Sequence, residues 1–75
     1  MNKGNKKLAN LEVIGSRIRE LRVEMLQEEL AAYLGISQGQ LSKIERGKLG
    51  PTAEVLLQHA EKFGRSTDWI LGRKS

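Results

Sequence analysis

Between Ile36 and Lys48 the sequence reads ISQGQLSKIERGK. Two glutamines, two serines, two lysines and an arginine fall within thirteen residues. Their chemistry is hydrogen-bond donation and cationic charge, not proton transfer or nucleophilic attack. A glutamine amide can pair with the donor and acceptor edge of adenine, and a lysine suits guanine or a phosphate. If the stretch is helical, Leu41 and Ile44 share one face at a spacing of three. Burying that face leaves Gln38, Gly39, Gln40, Ser42, Lys43 and Arg46 to solvent, a surface without an acid.

Other chemistry finds little support. A single His and the absence of Cys remove disulfides and most zinc sites, and no acidic cluster stands ready for another metal. No Ser/Cys–His–acid set can be drawn around one histidine, and GKLG lacks the glycine spacing and Ser/Thr of a phosphate-binding loop. Glu28–Glu29 reads as an exposed helix start that favours the helix dipole, not as a catalytic pair. Neither an enzyme nor a cofactor is expected.

Charge points to the partner. The formal net charge is +4, unevenly placed. Residues 1–11 hold Lys3, Lys6 and Lys7 and no acid, whereas residues 12–34 set three Arg against five Glu. Lys43, Arg46 and Lys48 then face only Glu45. A basic central stretch beside an acidic one suits a polyanion.

The elements that must position these residues are helices. Residues 1–9 are polar, basic and aperiodic, and read as a flexible arm; residues 10–75 read as one domain. Asn10 can cap a first helix running to about Glu24, in which Gly15 costs about 1 kcal/mol relative to Ala. A second helix, about 27–34, ends at Gly35; Ser37 caps a third, 38–45, which stops at Gly47. Thr52 caps a fourth, 53–63, ending at Gly64, and Ser66 caps a short fifth, TDWIL, closed by Gly72. No stretch alternates with period two, so the class is all-α. His59 lies beside the Leu56/Ala60/Phe63 stripe as a boundary residue. Trp69, Ile70 and Leu71 read as core, with part of that cluster a candidate dimer surface.

The stretch RVEMLQEEL (residues 22–30) contains no turn residue. Yet Ile14, Ile18, Leu21 and Met25 form one stripe, and Leu26, Leu30, Tyr33 and Leu34 form another. At a helical period the second is turned by about 120° from the first. The helix must break, and one or two residues near 25–26 are expected to join the halves. A helix continuous from 12 to 34 is the alternative.

From Gln27 the spacing is Q27-x3-A31-x3-G35-x5-L41-x2-I44, and each position has a steric task in a helix-turn-helix. Ala31 is small where two helices cross, Gly35 permits a left-handed exit, and Ile36 plugs the corner. Together with IGSRIRELR, QEELAAYLGISQGQLSKIERGK and FGRSTDWILG, the pattern resembles the Cro/CI-type (XRE, lambda-repressor-like) DNA-binding domain over residues 13–72.

The resemblance implies a five-helix lambda-repressor-like bundle, a double-stranded DNA operator as partner and a homodimer on it. It implies a transcriptional regulator, as a repressor; an antitoxin-type or controller protein that also binds a protein is the alternative. Residue by residue, Gln27 matches a phosphate-gripping position at a helix start. Gln38 matches the first base reader, Gly39 a second that here lacks a side chain, and Gln40 a contact to base or phosphate. Ser42 and Lys43 lie one turn on, Lys43 matching a base contact, while Arg46 matches the phosphate-facing loop. Ser37 before the helix and Lys48 after it complete the DNA-binding set. Arg22 and Glu45 match a buried structural ion pair. Relatives usually place a Gly and then a Ser, Thr or Asn between the first two helices; this chain looks about two residues shorter there. Helix two should then lack a side-chain N-cap, at about 1 kcal/mol.

MNKGNKKLAN has no apolar core of a secretory signal, and no apolar run spans a membrane. A cytoplasmic protein is expected. Seventy-five residues leave no room for a ligand-sensing domain, so no small-molecule ligand is expected.

Overall fold

A computed structural model describes residues 10–73; the arm containing Lys3, Lys6 and Lys7 lies outside them. Five helices follow one another: α1 (Leu11–Arg22), α2 (Gln27–Leu34), α3 (Gln38–Glu45), α4 (Ala53–Phe63) and α5 (Thr67–Leu71). Among the described residues there is no strand, and none of these helices is long and apolar enough to cross a membrane.

The starts form where side chains can accept amide protons. Asn10 Oδ1 takes those of Glu12 (2.9 Å) and Val13 (3.2 Å). Thr52 Oγ1 takes that of Val55, and Ser66 Oγ that of Trp69. At α3 the cap is reciprocal: Ser37 Oγ accepts from Gln40 N and Gln40 Oε1 accepts from Ser37 N, both at 3.0 Å. Gly35 leaves α2 in the left-handed conformation (φ 73°, ψ 27°) that turns the chain into α3.

The core gathers Ile14 and Ile18 of α1, Leu30, Ala31 and Leu34 of α2, Leu41 and Ile44 of α3, Val55 of α4 and Ile70 of α5. Leu41 and Ile44 thus join Leu30 and Leu34, as their spacing requires, and Ile36 packs against the cluster from the corner. Gly15 allows α1 to lie against the end of α3. A Cβ there would fall on the carbonyl oxygens of Ile44 and Glu45, 2.6 Å from the latter. Both obstacles are backbone. The glycine that weakens α1 by propensity is therefore the one that lets the two helices touch.

The break between α1 and α2 is longer and earlier than the stripes suggest. It covers residues 23–26, not one or two residues near 25–26, and α1 stops at Arg22, short of Glu24. Met25 N donates to Arg22 O at 2.8 Å, closing a β-turn whose first central residue is Val23, at φ 49° and ψ −110°. That is type II′ geometry, which glycine favours and a β-branched residue resists. Leu26 occupies the N-cap of α2 without a side-chain acceptor, and Glu29 Oε1 reaches back to Leu26 N (3.0 Å), supplying half of a capping box.

A strained Val23 that is 74% exposed has little packing to lose. Relief of a positive φ is worth about 1–2 kcal/mol, partly offset by the added unfolded-state entropy of glycine. Val23→Gly is expected to stabilise the domain by about 1 kcal/mol, raising Tm by roughly 4–8 °C. A Tm equal to or below that of the parent would contradict this turn.

His59 is not at a boundary but fully buried. The carbonyl of Val55 can only accept, so Nδ1–H donates to it at 2.9 Å. Burial pushes the imidazole below its ordinary pKa, opposed by the Val55 hydrogen bond and the negative charge of Glu45. Trp69 and Leu71 are half-buried beside the fully buried Ile70. The guanidinium carbons of Arg17 and Arg65 stand 4.5 and 4.3 Å from the Trp69 ring centroid, and Arg17 Nη1 also donates to the Trp69 carbonyl at 2.6 Å. Part of the apolar cluster at α5 is thereby covered from within the chain.

Candidate nucleic-acid interface

With Leu41, Ile44 and Glu45 buried, α3 turns the rest of its surface outward. Gln38, Gly39, Gln40 and Lys43 are exposed, Ser42 is half-buried, and Arg46 and Lys48 are exposed just beyond the helix. Glu45 is the sole acid on α3 and faces inward. The outward face therefore carries amides, a hydroxyl and positive charge.

Local bonds decide what each side chain has free. Ser37 and Gln40 hold one another in the capping box, leaving the Gln40 NH2 group available. Arg46 Nε donates to the Ser42 carbonyl at 3.3 Å, and the side chain is exposed. Lys48 N closes the end of α3 on the Lys43 carbonyl at 2.8 Å. Above Gly39 the space is open: an added Cβ would meet only Ser37 Oγ, 3.9 Å away.

The expected pairing of Arg22 with Glu45 is present and bidentate. Arg22 Nε donates to Glu45 Oε2 at 2.7 Å and Nη2 to Oε1 at 2.9 Å. The Glu45 side chain is 2% exposed and that of Arg22 20%. Arg22 Nη1 also donates to the Met25 carbonyl at 2.9 Å. One planar guanidinium thus joins the end of α1, the turn and α3.

Gln27 has a partner that sequence reasoning missed. Its Nε2 donates to Glu45 Oε1 at 3.0 Å, and its Oε1 accepts from Gln38 Nε2 at 3.3 Å. The half-buried Gln27 is thereby held between the ion pair and the first exposed residue of α3. Eighteen residues separate Gln27 from Glu45, so no helical periodicity could have paired them. The structure brings Gln27, Gln38, Glu45 and Arg22 into one network. Lys43, Arg46 and Lys48 stand apart from it, on the cationic end of α3.

A short second helix, a glycine-cornered turn and a third helix whose exposed face carries no acid define a helix-turn-helix DNA-binding regulator. The helix-turn-helix family model HTH_3 matches residues 17–70. The chain belongs to this Cro/CI-type helix-turn-helix family, and it is not an enzyme. It is 40% identical over 57 residues to the uncharacterized HTH-type transcriptional regulator y4dJ of Sinorhizobium fredii (strain NBRC 101917 / NGR234), covering 73% of this chain and 74% of that protein. It is 34% identical over 62 residues to the HTH-type transcriptional regulator ImmR of Bacillus subtilis (strain 168), covering 80% of this chain and 49% of ImmR. Among solved structures it is similar to the clp gene regulator ClgR from C. glutamicum. The TM-score is 0.71 at 28% identity, over 89% of this chain and 88% of that one.

Proposed function

We propose that this chain is a cytoplasmic transcriptional repressor that binds an operator as a homodimer, seating α3 in the major groove of double-stranded DNA. The observation that carries this reading is the outward face of α3, which presents amide and cationic donors while its one acid is buried. Gln38 reads a base at the start of the helix, and Lys43 reads another one turn on. Gln40 contacts base or phosphate through its free NH2 group, and Ser37 and Ser42 add hydroxyls at the edge of the groove. Gly39 offers no side chain and lets the DNA approach the helix closely. Arg46 and Lys48 meet phosphates, as do Gln27 and the amides at the start of α2, which Leu26 does not cap. Repression follows from occupancy alone, since a protein that covers its operator excludes others.

Two copies are inferred from the arithmetic of recognition. Each good bidentate contact discriminates by about 1–3 kcal/mol, too little for the few readers on one α3 to select a site in a genome. A two-fold pair doubles that discrimination and demands inverted half-sites whose centres lie about 10–10.5 bp apart. Titration of a selected duplex, followed by sedimentation, is expected to find two copies per site. One copy bound at saturation to a single unrepeated half-site would exclude the dimer.

A further inference from the structure

The residues that join α1 to α2 hold a turn that their own chemistry resists. RVEMLQEEL, residues 22–30, contains no Gly, Pro, Ser, Thr, Asn or Asp, the types that stop a helix. Val23 closes the turn at φ 49°, a conformation that a β-branched residue adopts only under constraint. Leu26 leaves the first amides of α2 without a side-chain cap. The constraint comes from Arg22, which is anchored on Glu45 and holds the Met25 carbonyl at 2.9 Å. A helix running on from Arg22 into Gln27 would relieve Val23 and give those amides carbonyl partners one turn back.

One chain alone cannot take that course. The apolar stripes of α1 and α2 lie about 120° apart. A continuous helix would swing α1, with Ile14 and Ile18, away from α3 and α5. Two chains can take it. In a pair, α1 of each copy packs on the α3–α5 unit of the other, and the core of the single chain is rebuilt between copies. The long helix, from Leu11 to Leu34, then lays one stripe on its own body and the other on the second copy. Val23 and Leu26, 74% and 57% exposed, stand three residues apart and would share one face where the two long helices cross.

We propose that residues 23–26 are a hinge, and that two copies of this chain exchange α1 through it to form an intertwined dimer. The partner is a second copy because the surface that receives α1 is built by this chain's own α3 and α5. Here the copies share a core, unlike the DNA-bound pair proposed above, and no part of the inference depends on DNA. Closing the hinge within one chain strains Val23, whereas exchange requires association, so protein concentration sets the balance.

A disulfide distinguishes the two arrangements, and the chain has no cysteine to interfere. A Cβ added at Gly72 lies 3.7 Å from Val13 Cβ, a separation that a disulfide spans. The Val13→Cys/Gly72→Cys variant is refolded over a range of concentrations, oxidised and run on a denaturing gel without reductant. In the closed chain the bond is internal and the band is monomeric; in the exchanged pair it joins two copies. Covalent dimer is expected to grow with the refolding concentration, beyond that of either single-cysteine variant. Adding Val23→Gly should reduce it about tenfold or more, since glycine relaxes the turn and weakens the long helix in both copies. If the cysteines prevent folding, sedimentation of the unmodified chain decides. It should show a dimer that forms at high concentration, survives dilution and is lost in Val23→Gly. Monomer at every concentration, or a dimer undiminished by Val23→Gly, would overturn the hinge. Copies joined by α5 alone would keep their disulfides internal, and a dimer of that kind counts against the exchange.

Discussion

Arg22→Ala is expected to lose about 3–5 kcal/mol of folding stability. Removing the guanidinium strands the Glu45 carboxylate, 2% exposed, with only the Gln27 amide for a partner. An unpaired buried charge is far costlier than a missing contact. The same side chain holds the Met25 carbonyl, so the uncapped entry to α2 loses its anchor as well. Small domains are stable by about 5–15 kcal/mol in total, so the loss takes about a fifth of that or more. For a chain of this size it corresponds to a fall in Tm of roughly 15 °C or more. Arg22→Lys keeps the charge but not the planar fork, and should fall between the two. Arg46→Ala removes an equal charge from the surface and should leave Tm nearly unchanged. A thermal scan of the three variants decides the point: an Arg22→Ala protein that melts with the parent would mean that the pair does not support the fold.

The second large effect is on affinity. A dimer would bring three cations to the DNA twice, Lys43 in the groove and Arg46 and Lys48 on the backbone, so about six counterions are released. With a slope of about −0.9 per phosphate, raising the salt from about 50 to 200 mM should weaken operator binding by roughly a thousandfold. Arg46→Ala and Lys48→Ala should each reduce the slope, by about two per dimer. Equilibrium titrations across that range check it. A flat dependence would mean that these three cations do not face the DNA.

Much of the architecture was legible because it is written in local chemistry. Asn10, Ser37, Thr52 and Ser66 mark helix starts, Gly35, Gly64 and Gly72 mark ends, and the structure places α2 to α5 at the expected residues. The packing of Leu41 and Ile44 onto Leu30 and Leu34 follows from spacing alone. What stayed hidden depends on residues that are distant in the chain. The turn at Val23 has no turn residue because Arg22, anchored on Glu45, holds Met25 from outside. Gly15 reads as a weak point in a helix until α3 is seen lying against it. His59 looks like a boundary residue on a helical wheel, but its environment is set by packing between helices. The acid-free face of α3 was foreseen from burial of Leu41 and Ile44; the tie between Gln27 and Glu45 was not, since nothing local selects it.

The outward face of α3 is proposed to read DNA sequence. Random-site selection with the wild-type protein, Gln38→Ala and Lys43→Ala tests it most directly. Wild type should recover an inverted repeat. Gln38→Ala should relax one symmetric pair of positions and Lys43→Ala a different pair, each by about 1–3 kcal/mol, with the remaining positions unchanged. Identical selected sites from all three proteins, or no enrichment by the wild type, would contradict the claim.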